Sequence, residues 1–211
     1  MICLPAIQRR NLGRALLAGY LAFCAVYLGS AAVAPGPRTI LAPGTVDAWF
    51  PFLPWTIWVY YSQFLLLVAS LAAARDDADR TRGFYAMLLA TLLAALVFVS
   101  WPTAIERPTP PQDGITGIVW SVLHSTDTPA NCFPSLHVAL AAISGILLWR
   151  GGWRLAAVAW PAAIAFSTLS TRQHVAWDIP GGLVLAALAW SATPRLIRHE
   201  RPHPLPDPAG S

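Results

Sequence analysis

Long apolar blocks separated by short polar segments set the plan of this chain. They fall at about Ala15–Ala34, Leu53–Ala74, Phe84–Trp101, Ser135–Trp149, Leu155–Ser170 and His174–Ala192. The apolar positions run on in blocks rather than as the short amphipathic stripe of a surface helix. A helix crossing the hydrocarbon core needs roughly 20 apolar residues, and several blocks reach that length. The fourth and fifth are shorter, and extend into their polar flanks or sit in thin bilayer. The pattern predicts an all-α fold, a polytopic membrane helix bundle of about six transmembrane helices. A leader over residues 1–14 precedes the membrane domain at 15–192, and a Pro-rich polar tail over 193–211, expected to be disordered, follows it. No internal repeat is evident.

Composition strengthens the membrane assignment. Of 211 residues, 56% are apolar and 11% charged, whereas a soluble domain carries about 25% charged residues. There is no Lys, and all fourteen basic residues are Arg. Arg9, Arg10 and Arg14 precede the first block; Arg75, Arg80 and Arg82 separate the second and third. Arg150 and Arg154 separate the fourth and fifth, and Arg195, Arg198 and Arg201 follow the sixth. Only Arg38, Arg107 and Arg172 fall on the opposite side. Positive charge marks the cytoplasmic side, so both termini are expected to be cytoplasmic and the cell (plasma or inner) membrane is the expected location. Basic residues divided among short connections do not make a nucleic-acid groove, which argues against that partner despite the net charge of +4. Leader, first apolar run and Ala32-Val33-Ala34 also fit a cleavable signal peptide. The run is long for one, and removing it would leave every outer loop outside. Cys3, Cys24 and Cys132 lack metal-ligand spacing and predict no disulfide.

The outer loops carry the unusual composition. Residues 35–54 are rich in Pro and Gly, and residues 102–134 form a polar stretch long enough to read as functional. Trp49, Trp55, Trp58, Tyr60, Trp101 and Trp120 fit an interfacial belt. His124 and Asp127 lie in the long loop, where either could touch substrate, although His124 reads more simply as a solvated loop residue; His199 and His203 read as inert tail residues.

Two strings suggest chemistry: Pro134-Ser135-Leu136-His137 and His174-Val175-Ala176-Trp177-Asp178. Each lies where an outer loop enters a span, which predicts both histidines in the first turn of their helices. His174 and Asp178 are four apart, on one face of a helix. A carboxylate there orients one ring nitrogen and leaves the other free to act as nucleophile or base. Ser135 is placed to cap a helix or to donate to a phosphate oxygen, and free N–H groups at a helix start favour an anion. Arg107 and Arg172 lie on the converging loops, with guanidinium forks that match phosphate. The bland readings are a structural His–Asp pair and arginines snorkelling at the interface. A zinc site of His137, His174 and Asp178 is the metal alternative, though it leaves the arginines unexplained. The preferred expectation is a site without metal or other cofactor.

The stretches DTPANCFPSLHVA (Asp127–Ala139) and STLSTRQHVAWDIPGG (Ser167–Gly182) resemble the second and third signature motifs of the type 2 phosphatidic acid phosphatase superfamily. The nearest likeness is to its inositol-phosphorylceramide-synthase-like, phosphotransferase branch. The stretch DAWFPFLPWTIWVYY (Asp47–Tyr61) is similar to that branch's approach to its second span, and Arg107-Pro108 to the end of the first motif. The resemblance implies a six-helix, metal-independent enzyme in which His174 forms a phosphohistidine, Asp178 orients it and His137 handles the proton. It also implies that Ser135 and Arg107 hold phosphate oxygens. The usual Lys of the first motif is Ser100 here, and the usual Arg after the opening Ser of the third is Thr168; Arg172 is the candidate replacement. The implied substrate is a phosphorylated membrane lipid, with water or an alcohol as acceptor. A non-catalytic lipid-binding or scaffold protein of the same fold is the alternative.

Overall fold

The computed structural model describes residues 2–34, 37–127 and 130–199. Seven helices make up most of it: α1 (Leu12–Val33), α2 (Ile57–Ala72), α3 (Asp77–Ser100), α4 (Gly114–Thr126), α5 (Leu136–Arg150), α6 (Arg154–Ser170) and α7 (Asp178–Leu196). Two short parallel pairings join segments outside the helices. These are β1 (Ile2–Leu4) with β4 (Ile197–His199), and β2 (Thr39–Ile40) with β3 (Thr103–Ala104). Three helical stretches are long and apolar enough to cross a membrane: Arg9–Val33, Pro54–Ala72 and Asp77–Ser100. The helices α5 and α6 are apolar but shorter.

Loop contacts bring helix ends together at one end of the bundle. The β2–β3 pairing joins the exits of α1 and α3. Leu53 N–H donates to the Ser170 carbonyl at 2.9 Å, placing the start of α2 beside the end of α6. Ser135 N–H donates to the Asp178 carbonyl at 3.2 Å, placing the starts of α5 and α7 together. At the opposite end Arg150 reaches Asp79 at 2.9 Å, and Arg82 donates to the Trp190 carbonyl at 2.9 Å. Two of the arginines counted to the Arg-rich side thus brace that end.

The centre is built from α3, α5 and α7. Ala86, Ala90, Ala94, Ala139 and Ala189 are fully buried there beside Ile143 and Leu147. Small side chains let helix backbones approach closely, the source of packing energy where lipid supplies no hydrophobic drive. The helix α1 packs chiefly against α3, with much of its surface open.

Three expectations change. The long loop contains a helix: Ile115, Ile118, Val119, Val122 and Leu123 recur at helical spacing in α4, a period masked by the polar residues around it. Trp120 and Tyr60, expected in an interfacial belt, are instead buried. The Trp120 ring nitrogen donates to the Pro54 carbonyl at 3.0 Å, fastening α4 over the start of α2. Trp49, Trp55, Trp58 and Trp101 remain exposed. Finally, the last helix runs on to Leu196, and Ile197–His199 pair with β1, so residues 193–199 of the expected tail lie in regular elements. Its remainder, with Arg201 and His203, lies outside the described residues.

Candidate active site

The chain between α6 and α7 turns sharply, and that turn carries His174. Arg172 adopts a left-handed backbone, φ 56°, which ends α6. The Thr168 carbonyl then accepts from both Gln173 N–H and His174 N–H, at 3.0 and 3.1 Å. Buried Asp47, from the α1–α2 connection, accepts from Ala176 N–H through Oδ1 at 2.8 Å. These bonds hold residues 171–177 in a non-helical turn. His174 therefore does not lie in the first turn of a helix, because contacts with Thr168 and Asp47 outweigh the local helical pattern. Asp178, at the first position of α7, still meets it.

The His174–Asp178 pairing is direct. Nδ1 of His174 is 2.8 Å from Oδ2 of Asp178, and the same oxygen accepts Val175 N–H at 3.2 Å. Both side chains are buried. Oδ1 of Asp178 has no partner among the described residues. A carboxylate in this position fixes the imidazole tautomer and leaves Nε2 with its lone pair.

His137 occupies the first turn of α5, as expected. Its ring centroid is 6.1 Å from that of His174 and 4.2 Å from that of Tyr60, whose hydroxyl is 3.4 Å from Nδ1. Ser135 is the N-cap of α5, its Oγ accepting Val138 N–H at 3.4 Å. Other N–H groups of that first turn have no carbonyl within the helix to bond. The close approach of α7 depends on Gly182: a Cβ there would sit 2.5 Å from the Ser135 carbonyl oxygen. The two motifs are thus neighbours in space.

The arginines behave differently from one another. Arg107 grips Asp127, with Nη1 on its carbonyl at 2.7 Å and Nη2 on Oδ2 at 2.8 Å. Oδ1 of Asp127 accepts from the Tyr27 hydroxyl at 2.8 Å, which ties α1 to the loop. Asp127, Tyr60 and His137 line one cavity. Arg172 turns toward the α1–α2 connection, donating to the carbonyls of Asp47 and Phe50 at 3.2 and 2.8 Å. These bonds make it a brace for the His174 turn. Ser100 donates back to its own helix at Leu96, so its hydroxyl does not reach the site. Thr168 contributes its carbonyl beneath His174.

His124 lies on α4, edge-on to Trp120 at 5.6 Å, rather than in a solvated loop. Burial and then the Arg107 charge lower its pKa. Cys132 is buried beside the site, and burial, reinforced by the Asp178 charge, pushes its thiol up to about 12. Among the described residues no three His, Cys, Asp or Glu side chains cluster as a metal site would require.

Neither Asp47 nor Tyr60 was assigned a place at the site from the sequence. Asp47 is one of only ten acidic residues in the chain and falls on the Arg-poor side, a signal that was readable. Tyr60 carried none, because an aromatic residue near a span end is the norm.

Residues 46–192 match the family profile described as the PAP2 superfamily, and the chain belongs to that superfamily. No curated protein and no solved structure matches it. Membership, with several long apolar helices, points to a membrane protein with phosphatase-type action on phosphorylated lipids.

Proposed function

We propose that this protein is an integral-membrane lipid phosphatase or lipid phosphotransferase that cleaves a phosphate ester through a phosphohistidine at His174. The carrying observation is the 2.8 Å Nδ1–Oδ2 pair of His174 and Asp178, with the His137 ring facing it at 6.1 Å. In this reading Nε2 of His174 attacks phosphorus while the P–O bond to the lipid alcohol breaks. Protonated His137 gives its proton to the departing oxygen. Neutral His137 then takes a proton from the acceptor, water or an alcohol, whose oxygen attacks phosphorus as the P–N bond breaks. The cycle returns both imidazoles to their starting states. Asp178 stabilises the positive charge that develops on the His174 ring, and the covalent intermediate splits one hard transfer into two easier ones.

Phosphoryl transfer is mostly positioning and charge stabilisation. Ser135, the first-turn amides of α5 and Arg107 supply donors, Arg107 exchanging part of its grip on Asp127 for phosphate. Arg172 acts through the turn that it braces. The reading needs no metal or other cofactor.

The six apolar helices α1, α2, α3, α5, α6 and α7 then cross the membrane. Eleven of the fourteen arginines, by their positions in the sequence, set the far end and both termini in the cytoplasm. The site faces the extracytoplasmic side of the cell membrane, where a lipid presents its phosphate with its chains still in the bilayer. The phosphotransferase branch, with an alcohol acceptor, is supported by the similarity of Asp47–Tyr61 to that branch.

The test is an assay of purified protein with phospholipids, polyprenyl phosphates and alcohol acceptors. Phosphate release marks hydrolysis, and a new phosphodiester marks transfer. Vanadate is expected to inhibit and a chelator to have no effect. Full turnover by His174→Ala would overturn the mechanism, and absence of turnover on every lipid would favour the non-catalytic alternative.

A further inference from the structure

Between α1 and α2 the bundle is open. Both helices contact α3, and the space left is a cleft of about 600 Å³, within the range of ligand sites. Its walls include Tyr20 and Phe23 of α1, Phe64 and Leu67 of α2, and Met87 and Leu140 behind them. One end reaches His137 and Tyr60, and the lining follows α1 from Leu28 down to Leu16, about 18 Å of helix at the usual rise. One bilayer leaflet contributes about 15 Å of hydrocarbon. An apolar trench of that depth, ending on an imidazole, suits the hydrocarbon chain of a lipid.

One wall residue does not fit an apolar trench. Gln63 lines the cleft and is 2% exposed, yet neither its amide oxygen nor its nitrogen has a partner among the described residues. Nearby hydroxyls solve the same problem within their own helices: Ser70 donates to the Leu67 carbonyl and Thr91 to that of Met87. A buried amide with donor and acceptor both unmade is costly and rare, and calls for an occupant that completes it. Gln63 lies one turn beyond Tyr60 on α2, about 4.5 Å further from the site end, and the Tyr60 ring rests on His137.

We propose that Gln63 recognises the carbonyl linkage joining headgroup to chain in the substrate lipid, and so selects acyl-linked lipids over polyprenyl phosphates. The proposal rests on the reading of the site as a lipid-phosphate site. In a glycerol or sphingoid phosphate the first acyl linkage follows a few bonds after the phosphoester oxygen, within one helical turn of the imidazole. Nε2 of Gln63 donates to the carbonyl oxygen, whether ester or amide. In either linkage the lipid carbonyl completes Nε2, while a trans amide turns its own N–H to the opposite side. A polyprenyl phosphate offers only hydrocarbon at this depth and leaves Gln63 unsatisfied.

The test uses the full chain in lipid nanodiscs and measures binding of non-hydrolysable phosphonates by native mass spectrometry. Four probes are compared: a diacyl ester lipid, an amide-linked sphingoid lipid, a dialkyl ether lipid and a polyprenyl phosphonate. The wild-type protein is expected to bind a carbonyl-linked probe roughly tenfold more tightly than the ether or polyprenyl probe. In Gln63→Met that preference is expected to disappear. Tighter binding of the amide than of the ester assigns the linkage as an amide, and the reverse assigns an ester. Equal binding of ester and ether lipids by the wild-type protein overturns the proposal, as does an unaltered preference in Gln63→Met. The ether comparison needs no variant and decides alone if the substituted chain does not fold. Selective binding without turnover of any lipid would sink the catalytic reading and leave the role of Gln63 standing.

Discussion

At the scale of single residues, the proposed mechanism rests on which nitrogen of His174 is occupied. Nδ1 faces Asp178, so the proposal assigns Nε2 as the reactive atom and the carboxylate's charge as what strengthens the nucleophile. Asp178→Asn keeps the shape and removes the charge. It is expected to lower kcat by roughly a hundredfold or more while the protein remains folded, as steady-state assays and circular dichroism would show. Activity close to that of the unsubstituted protein would remove Asp178 from the mechanism. Cys132 gives a second check. With its thiol raised to about 12 by burial, little thiolate exists at pH 8, so a maleimide should label Cys132 far more slowly than exposed Cys3. Peptide mapping after timed labelling reads this directly. The pairing of His174 with Asp178 was legible from their spacing. The partners of the two arginines were not, because Arg172 bonds to carbonyls more than a hundred residues earlier in the chain.

At the scale of elements, the site exists because α5 and α7 begin side by side and the α6–α7 turn is pinned between them. Gly182 permits that contact. Gly182→Ala must push α7 from the Ser135 carbonyl, and is expected to cost about 2 kcal/mol and most of the activity. Thermal unfolding in detergent, run with the turnover assay, measures both. Asp76 offers a control at the other end, where its carboxylate caps α3 by accepting Asp79 N–H at 2.7 Å. That bond lowers the Asp76 pKa. The cap therefore stabilises above the ordinary carboxylate pKa and is lost as pH falls through the lowered value. Asp76→Ala is expected to cost about 1 kcal/mol without altering substrate preference. Each apolar block coincides with much of a helix, and three of those helical stretches are long and apolar enough to cross a membrane. The polar surroundings of α4 concealed its apolar stripe. The His174 turn was read as helix because its spacing is helical, whereas a left-handed Arg172 and the distant Asp47 decide its shape.

At the scale of the whole molecule, an all-helical bundle gathers its chemistry at one end and most of its arginines at the other. A trench between α1 and α2 connects the chemistry to hydrophobic surroundings. Membership of the PAP2 superfamily fits that division, and it was visible in the two histidine motifs before the fold was known. The proposed orientation rests on charge alone, and is testable with single cysteines read by a membrane-impermeant reagent in intact cells. Residues at positions 38 and 113 are expected to react from outside, and those at 9 and 154 only after permeabilisation. The opposite pattern would reverse the topology and place the site in the cytoplasm.

The central claim is that His174 carries the phosphoryl group. The direct measurement is to quench the purified protein during turnover of a phosphate-labelled lipid and to map the label under alkaline conditions that preserve phosphohistidine. Acid-labile label is expected on the peptide containing His174 and is expected to be absent in His174→Ala. Turnover with label on another residue, or undiminished turnover in His174→Ala, would contradict that claim.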